Sequence, residues 1–346
     1  MGIVKNFNSK QLDFSSVKSY ISDVSTLFYP EKLIAPLNPN IDDKLLVEVV
    51  VIEKTGTTRR FLAQMDVLTK KEHFLNLMTT NLVLFDMKYI SHLQHYVMDE
   101  CRLLLQNGSI EYRNRCLGWQ DIDNDGTYRF VLENATLKSG HLVKYYDTDW
   151  KFQKGTLQGQ LDFLKEEIYP YTVTQLAMTL GLTSIVAGYV EPHLSVGTYV
   201  INVSSQSTTG KSTITELAGS FFGSPIINEA GMVRTFNSTK NALLAASENK
   251  YGLPILLDDI NANGKEHNKT DLVYQFALNE PRSRCNSSGD LLSHRGSWSG
   301  LTIITSESPM FDNEVVTQGI DARCLTIDNL TWTQDSEHSN RIKERS

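Results

Sequence analysis

The chain has 346 residues, about two domains at roughly 150 residues each. Lysine and arginine number 33 against 40 aspartates and glutamates, a formal net charge of −7, with 40% hydrophobic and 21% charged residues. This excludes a disordered chain, a collagen-like repeat and a strongly basic wrapper of nucleic acid, but not a local basic patch, because net charge says nothing about where the charge sits.

In chain order, the first elements are mixed. The four cysteines (Cys101, Cys116, Cys285 and Cys324) are far apart and form no CxxC pair, which argues against a disulfide framework or zinc ribbon and fits a reducing cytoplasm. The start, MGIVKNFNSKQLDF, holds no apolar run of signal-peptide length. Asn6 stands where a myristoylation motif needs Ser or Thr. Residues 45–52 (LLVEVVVI) predict a strand and 57–64 its partner, with Lys54-Thr55-Gly56 as the turn. Apolar residues recur every three or four positions over 87–105, which predicts a long helix. Strand-like pieces follow at 110–119, 127–132 and 141–146, with Asn124-Asp125-Gly126 as a turn between two of them. Without regular alternation of strand and helix, residues 1–154 are expected to form an α+β N-terminal domain.

A helical connector is expected over 155–197, broken at Pro170. Its second half, 172–190, is the most apolar stretch of the chain, yet Gln175, its threonines and its length fit a buried helix better than a membrane span, and no membrane partner is expected. The pattern changes after Pro192. Strand-like runs at 199–203, 225–227, 254–257, 301–305 and 324–327 alternate with helical segments, so residues 198–330 are expected to form an α/β domain on a five-stranded parallel sheet. Residues 331–346 read as a polar tail.

The chemistry concentrates after the first of those strands. Ser205, Gln206, Ser207, Thr208, Thr209, Gly210, Lys211, Ser212 and Thr213 approximate the phosphate-binding template G-x-x-x-x-G-K-[ST], between a strand and a helix. Gly210 lets the backbone approach a phosphate, and the loop amides with the helix N-terminus make an anion cradle. Lys211 would reach the β- and γ-phosphates, and the Ser212 hydroxyl is a hard oxygen ligand for Mg²⁺. Ser205 replaces the first glycine, a costly exchange if that position needs positive φ. The competing reading is a small-residue loop with Ser207 or Thr209 capping a helix. Residues 254–259 (PILLDD) are an apolar strand ending in two carboxylates: Asp258 would hold the metal beside Ser212, and Asp259 would orient or deprotonate an attacking water. Two solvated strand-end acids are the alternative. Residues 301–307 (LTIITSE) end a strand in hydroxyls and an acid, so Thr305 and Ser306 are candidates to contact that water or the γ-phosphate, against a simple polar turn. A further cation is needed for the transition state, and Arg282, Arg284 and Arg323 are the candidates, each equally readable as a solvated or paired side chain.

These pieces resemble, in order, the motifs of the domain-of-unknown-function family 927, helicase-like AAA+ ATPases of phages, plasmids and chromosomal cassettes. Leu117-Gly118-Trp119 is similar to its Gly-Trp motif, 205–213 to its SS-x-GKTT loop, and 256–260 (LLDDI) to its LLDE strand. Residues 279–284 align with its N-G-x-G-K-x-R segment, 303–307 with its LSTGE and 319–328 with its G-x-x-V-R end. Paired aspartates at the strand end also occur in superfamily 3 helicases. The resemblance implies an α/β P-loop NTPase that binds ATP and Mg²⁺ at the subunit interfaces of a ring, commonly a hexamer, with DNA in its channel. One of the three arginines would then act across an interface. It also implies a DNA-gripping hairpin between Arg284 and Trp298, with Ser288 near its tip and His294 and Arg295 beside it, against an ordinary surface hairpin.

The expected function is an ATP-driven DNA helicase or translocase of a phage or mobile element, acting in replication in the bacterial cytoplasm. The alternatives are an AAA+ switch or scaffold that does not unwind, for example in phage defence, and a catalytically weak nucleotide-binding module, motivated by Ser205 and Asp259. Three other groups are not promoted. His92, His95 and Asp99 share a helix face without completing a metal site. Asp121, Asp123 and Asp125 begin like a calcium loop, but Leu132 stands where its glutamate belongs. Arg59-Arg60 and Lys70-Lys71 read as solvated basic pairs.

Overall fold

The computed structural model describes residues 27–37, 44–53, 56–83, 85, 87–145, 155–194, 197–227, 231–260, 269–279, 296–311 and 318–346. Two compact units divide at Asn114 and Arg115, earlier in the chain than the expected 154/155.

In the first unit, β1 (Leu27–Pro36), β2 (Leu46–Ile52) and β3 (Thr58–Gln64) are antiparallel neighbours, and β4 (Ile110–Asn114) runs parallel to β1. The alternation of β2 buries Val47, Val49 and Val51 on one face. Helices α1 (Met65–Thr69), α2 (Lys71–Thr80) and α3 (Ile90–Gln106) bring Leu68, Phe74, Leu93 and Val97 to that face. Four side chains of the histidine face and the basic pairs have ordinary partners. His95 Nδ1 lies 2.6 Å from Ser91 O, Asp99 pairs with Arg102, Arg59 with Glu53 and Arg60 with Glu31.

The second unit begins with β5 (Leu117–Gln120), β6 (Arg129–Val131) and the hairpin β7 (Ala135–Thr136) and β8 (Leu142–Tyr145). The boundary moved because β5 pairs with a strand far along the chain: β11 (Lys250–Tyr251), itself beside β13 (Trp298–Ser299). Gly118 explains its own identity there. Its φ is +89°, and a Cβ would lie 1.7 Å from the carbonyl oxygen of Tyr251, so no other residue fits. The acidic loop is a turn: the Asp121 carboxylate accepts from the amides of Asp125 and Gly126, and Asp123 pairs with Arg129.

Helix α4 (Leu157–Phe163) continues as a π-turn over Leu164–Ile168, and α5 spans Thr172–Leu194. Thr172–Glu191 is long and apolar enough by composition to cross a membrane, and among the described residues it is the only such helix. Only 28% of that stretch is buried, so it is not the buried helix expected, although its small-residue face is docked: Ser184 Oγ accepts from Leu301 N (2.7 Å), and Ser299 Oγ donates to Gly188 O (3.2 Å).

The main sheet has five strands, all parallel, in the order β10-β12-β14-β9-β15: β9 Val200–Ser204, β10 Val233–Thr235, β12 Ile255–Asp258, β14 Thr302–Ser306 and β15 Cys324–Asp328. The run expected at 225–227 supplies only a bridge from Ile227 to Val233, and the edge strand is β10. Side-chain alternation splits the strands between two cores. Ile201, Val203, Leu256 and Ile303 face α4, α5, α6 (Lys211–Ser220) and α10 (Ser336–Arg345). Val200, Ile255, Leu257 and Ile304 face α7 (Lys240–Ser247), α8 (Lys269–Leu278) and α9 (Gln318–Asp321). The last residues are not a loose polar tail: Trp332, His338 and Ile342 are fully buried. The three described cysteines are free thiols.

Candidate nucleotide-binding site

The buried strand β9, between β14 and β15, delivers residues 205–210 to the carboxyl end of the sheet, where parallel α/β sheets form sites. Helix α6 starts there with Gly210 as its cap, at φ 92°, so no side chain occupies its first amides. A Cβ on Gly210 would come within 2.8 Å of Thr333 Oγ1. By contrast, α4, α7 and α10 are capped by Thr156, Thr239 and Asp335 side chains.

Ser205 needs no glycine. It does not take a left-handed φ, is buried, and its hydroxyl shares a 2.6 Å hydrogen bond with Thr209 Oγ1. The loop's left-handed residues are Thr208 (φ 67°) and Gly210. A β-branched residue in that region costs roughly 1–2 kcal/mol, so the strain sits at 208 rather than 205. Lys211 folds across the loop, its Nζ donating to Ser205 O (2.6 Å) and Gln206 O (2.7 Å).

Strands β12 and β14 supply the facing wall. Thr305 Oγ1 donates to Asp258 Oδ1 (2.6 Å) and accepts from Asp259 N (2.7 Å), tying both carboxylate positions to the next strand. Asp259 lies at φ 53°, a conformation aspartate tolerates better than most residues. Ser306 turns away: it is buried and accepts from Asn202 Nδ2 at 2.8 Å. Between the walls is a cavity of about 480 Å³, lined by 207–208 and 210–213 of the loop and helix, Asp258, Asp259, Thr305 and Glu307. Ser207 donates to Glu307 across its mouth.

The C-terminal segment completes the cavity with Thr333, Asp335, Ser339, Asn340 and Lys343, none of which carries a motif in the sequence. Trp332 N donates to Thr209 O (2.7 Å), and the Thr213 and Ser339 hydroxyls are 2.6 Å apart. Lys343 Nζ lies 3.6 Å from Glu216. Burial pushes the Glu216 carboxyl above the usual carboxylate range, an effect Lys343 opposes. Glu167 on the π-turn anchors the helix: it accepts from Arg341 Nε at 3.0 and 3.1 Å, and its carbonyl is 3.0 Å from His338 Nε2. A tryptophan in an otherwise polar stretch, followed by Asp335 as a helix cap and by Ile342, was the available signal.

Of the other expected residues, Arg323 is not brought to this cavity. It lies at the amino end of β15, donates from Nη1 to Gly319 O (2.8 Å) and stacks on Tyr274. Arg282, Arg284, Ser288, His294 and Arg295 lie outside the described residues. The oxygens of Ser212 and Asp258 suit a hard cation. Among the described residues no group of three His, Cys, Asp or Glu could hold a metal ion by itself, so a cation here would draw its remaining ligands from water or a bound phosphate.

The sequence profile described as Domain of unknown function (DUF927) matches residues 38–295. The chain belongs to the DUF927 family. The loop, Asp258 and Asp259 of this DUF927 member fall inside the matched region, whereas Thr305, Arg323 and the C-terminal segment lie beyond it. Its fold is similar to that of a solved structure titled "SCCmec type IV Cch - active helicase", with a TM-score of 0.67 and 20% sequence identity over 92% of this chain. The chain spans 57% of the length of that protein. No curated protein matches it.

Proposed function

We propose that this chain is the ATPase motor of a DNA helicase or translocase carried by a mobile genetic element, built as an α/β P-loop unit of the AAA+ or superfamily 3 kind. One observation carries the reading: across a single cavity, Lys211 and Ser212 on the turn after β9 face Asp258 and Asp259 at the end of β12. The strand order supports it, because the connections on the two sides of β9 run in opposite directions, opening a crevice above its carboxyl end.

Bound ATP would supply the phosphoanhydride that is split, and Mg²⁺ the charge that neutralises its phosphates. The residues 205–213 and the open first turn of α6 bind the phosphates, with Lys211 exchanging its two carbonyl partners for phosphate oxygens. Ser212 and Asp258 hold the cation. Asp259 orients the attacking water, and Thr305 fixes the position of both acids. Lys343 brings a second positive charge to the cavity. In a ring, an arginine of a neighbouring copy (Arg282, Arg284 or Arg323) would face this site, and Ser288, His294 and Arg295 would lie towards DNA.

The test is hydrolysis of ATP with and without single-stranded DNA, strand displacement on a forked duplex, and the oligomeric state with nucleotide. Stimulated hydrolysis with displacement by a ring is expected. Stimulated hydrolysis without displacement would make the chain a switch. Binding without turnover would make it a structural module. A chain that stays monomeric with ATP and DNA would remove the ring.

A further inference from the structure

A second cavity, of about 410 Å³, lies at the opposite, amino ends of the same strands. Tyr251 precedes β12, Trp298 precedes β14, and Asn279 follows α8 on its return across the sheet. From the cavity geometry we propose that it binds a nucleobase, through aromatic faces on its walls and through Glu191 and Asn279 at the polar edge of the base.

Three observations converge on that chemistry. Aromatic residues crowd the walls: the rings of Trp119 and Tyr189 are 4.9 Å apart, and Tyr128 and Tyr251 line the same space. Tyr128 and Tyr189 are exposed at the rim, where both rings also pack against His193, with centroids 5.3 and 4.9 Å away. The indole N–H of Trp119 is already given to Ile185 O at 2.7 Å, so this residue has only its ring to offer. Next, the Glu191 carboxylate lines the cavity and has no ion-pair partner among the described residues. Last, Asn279 is 3% exposed, its Oδ1 accepts from Thr198 Oγ1 (2.6 Å), and its Nδ2 donor has no partner among the described residues. An orphaned donor at that depth is costly, and a turn of the Asn279 amide, whose residue lines the cavity, would bring it to an acceptor there.

Other ligand classes fail on one of these points. An apolar ligand would leave both Glu191 and Asn279 unpaired. An organic cation would satisfy the rings and Glu191 but not the Asn279 donor. No lysine or arginine lines the cavity, so a phosphate is not its occupant and would stay outside. A base stacks on aromatic residues and offers both N–H donors and acceptors along one edge. Guanine matches best, with two N–H groups for the carboxylate beside a carbonyl for the amide. The inference stands apart from hydrolysis at the other end of the sheet.

The full chain carrying Lys211→Ala, which weakens the phosphate site, is titrated with guanosine 5′-monophosphate and with a short single-stranded oligoguanylate-containing DNA, reading tryptophan fluorescence and heat. Saturable binding is expected. Adding Tyr189→Ala should weaken it by about tenfold or more, because stacking on one aromatic residue has that worth. Adding Glu191→Gln should weaken guanine by about tenfold while leaving adenine less affected. Both positions are at or near the surface, and circular dichroism checks that the variants fold. Tighter binding of the DNA assigns the site to a single strand, and tighter binding of the monophosphate assigns it to a free nucleotide. Absence of binding at millimolar ligand, binding indifferent to both variants, or displacement by tetramethylammonium alone would overturn the proposal. Loss of hydrolysis in Lys211→Ala with intact base binding would separate the two readings.

Discussion

The two ends of the parallel sheet are chemically unlike. The carboxyl end is polar, with Lys211, Lys343, Asp258, Asp259 and Glu307 around hydroxyls and open helix amides. The amino end is aromatic, with Trp119, Tyr128, Tyr189, Tyr251 and Trp298 and a single carboxylate, Glu191. Strand direction accounts for the first: carboxyl ends lead into helix N-termini, where amides gather and anions are favoured. The second arises from packing, since β5, β11, β13 and α5 roof the amino ends with rings rather than charges. Under the two proposals, one sheet would carry a phosphate-type site and a base-type site, which mutation can separate.

The largest expected effect comes from the residue that supports the polar end from beneath. Trp332→Ala should cost about 3–5 kcal/mol of stability, the usual penalty for emptying a buried tryptophan site, measured by denaturant titration. Nucleotide affinity should fall with it, while binding at the aromatic end persists in the molecules that remain folded. Lys211→Ala should lower ATP turnover by about 10²–10³-fold with little change in melting temperature. Unchanged turnover would remove the polar end as the catalytic one. Gly118→Ala strikes the other end: left-handed φ plus overlap with Tyr251 O predicts a loss of roughly 2–4 kcal/mol, seen in thermal melts, and a disturbed tryptophan spectrum. The smallest change is Ser205→Gly. Because Ser205 is unstrained, restoring glycine should not raise turnover, and losing its bond to Thr209 should cost about 1 kcal/mol or less. A marked gain in turnover would mean that serine obstructs the loop after all.

The polar end was largely legible in the sequence because its signals are local. A buried strand, a Thr-Gly-Lys-Ser turn and a helix follow one another, and an apolar strand ending in Asp258-Asp259 announces itself within a few residues. Serine in place of glycine at 205 brings no backbone strain, and only the backbone shows that Thr208 takes the left-handed conformation. What stayed hidden was assembled over distance. Arg341 meets Glu167 and Ser339 meets Thr213 only after folding, so residues 331–346 read as a tail. The aromatic cavity draws on six separated segments, and no spacing rule links Trp119 to Tyr189 or Asn279. Likewise, the division near residue 114 rests on β5 pairing with β11, a register that neither strand's composition encodes.

The hydrogen bond from the Trp332 amide to the Thr209 carbonyl has a kinetic corollary. That proton can exchange with solvent only when the turn before α6 lets go, so its deuterium uptake is a built-in clock for opening of the turn. Any ligand that clamps 205–213 should slow the clock, and the final helix, tethered at the same point, should slow with it as one cooperative unit.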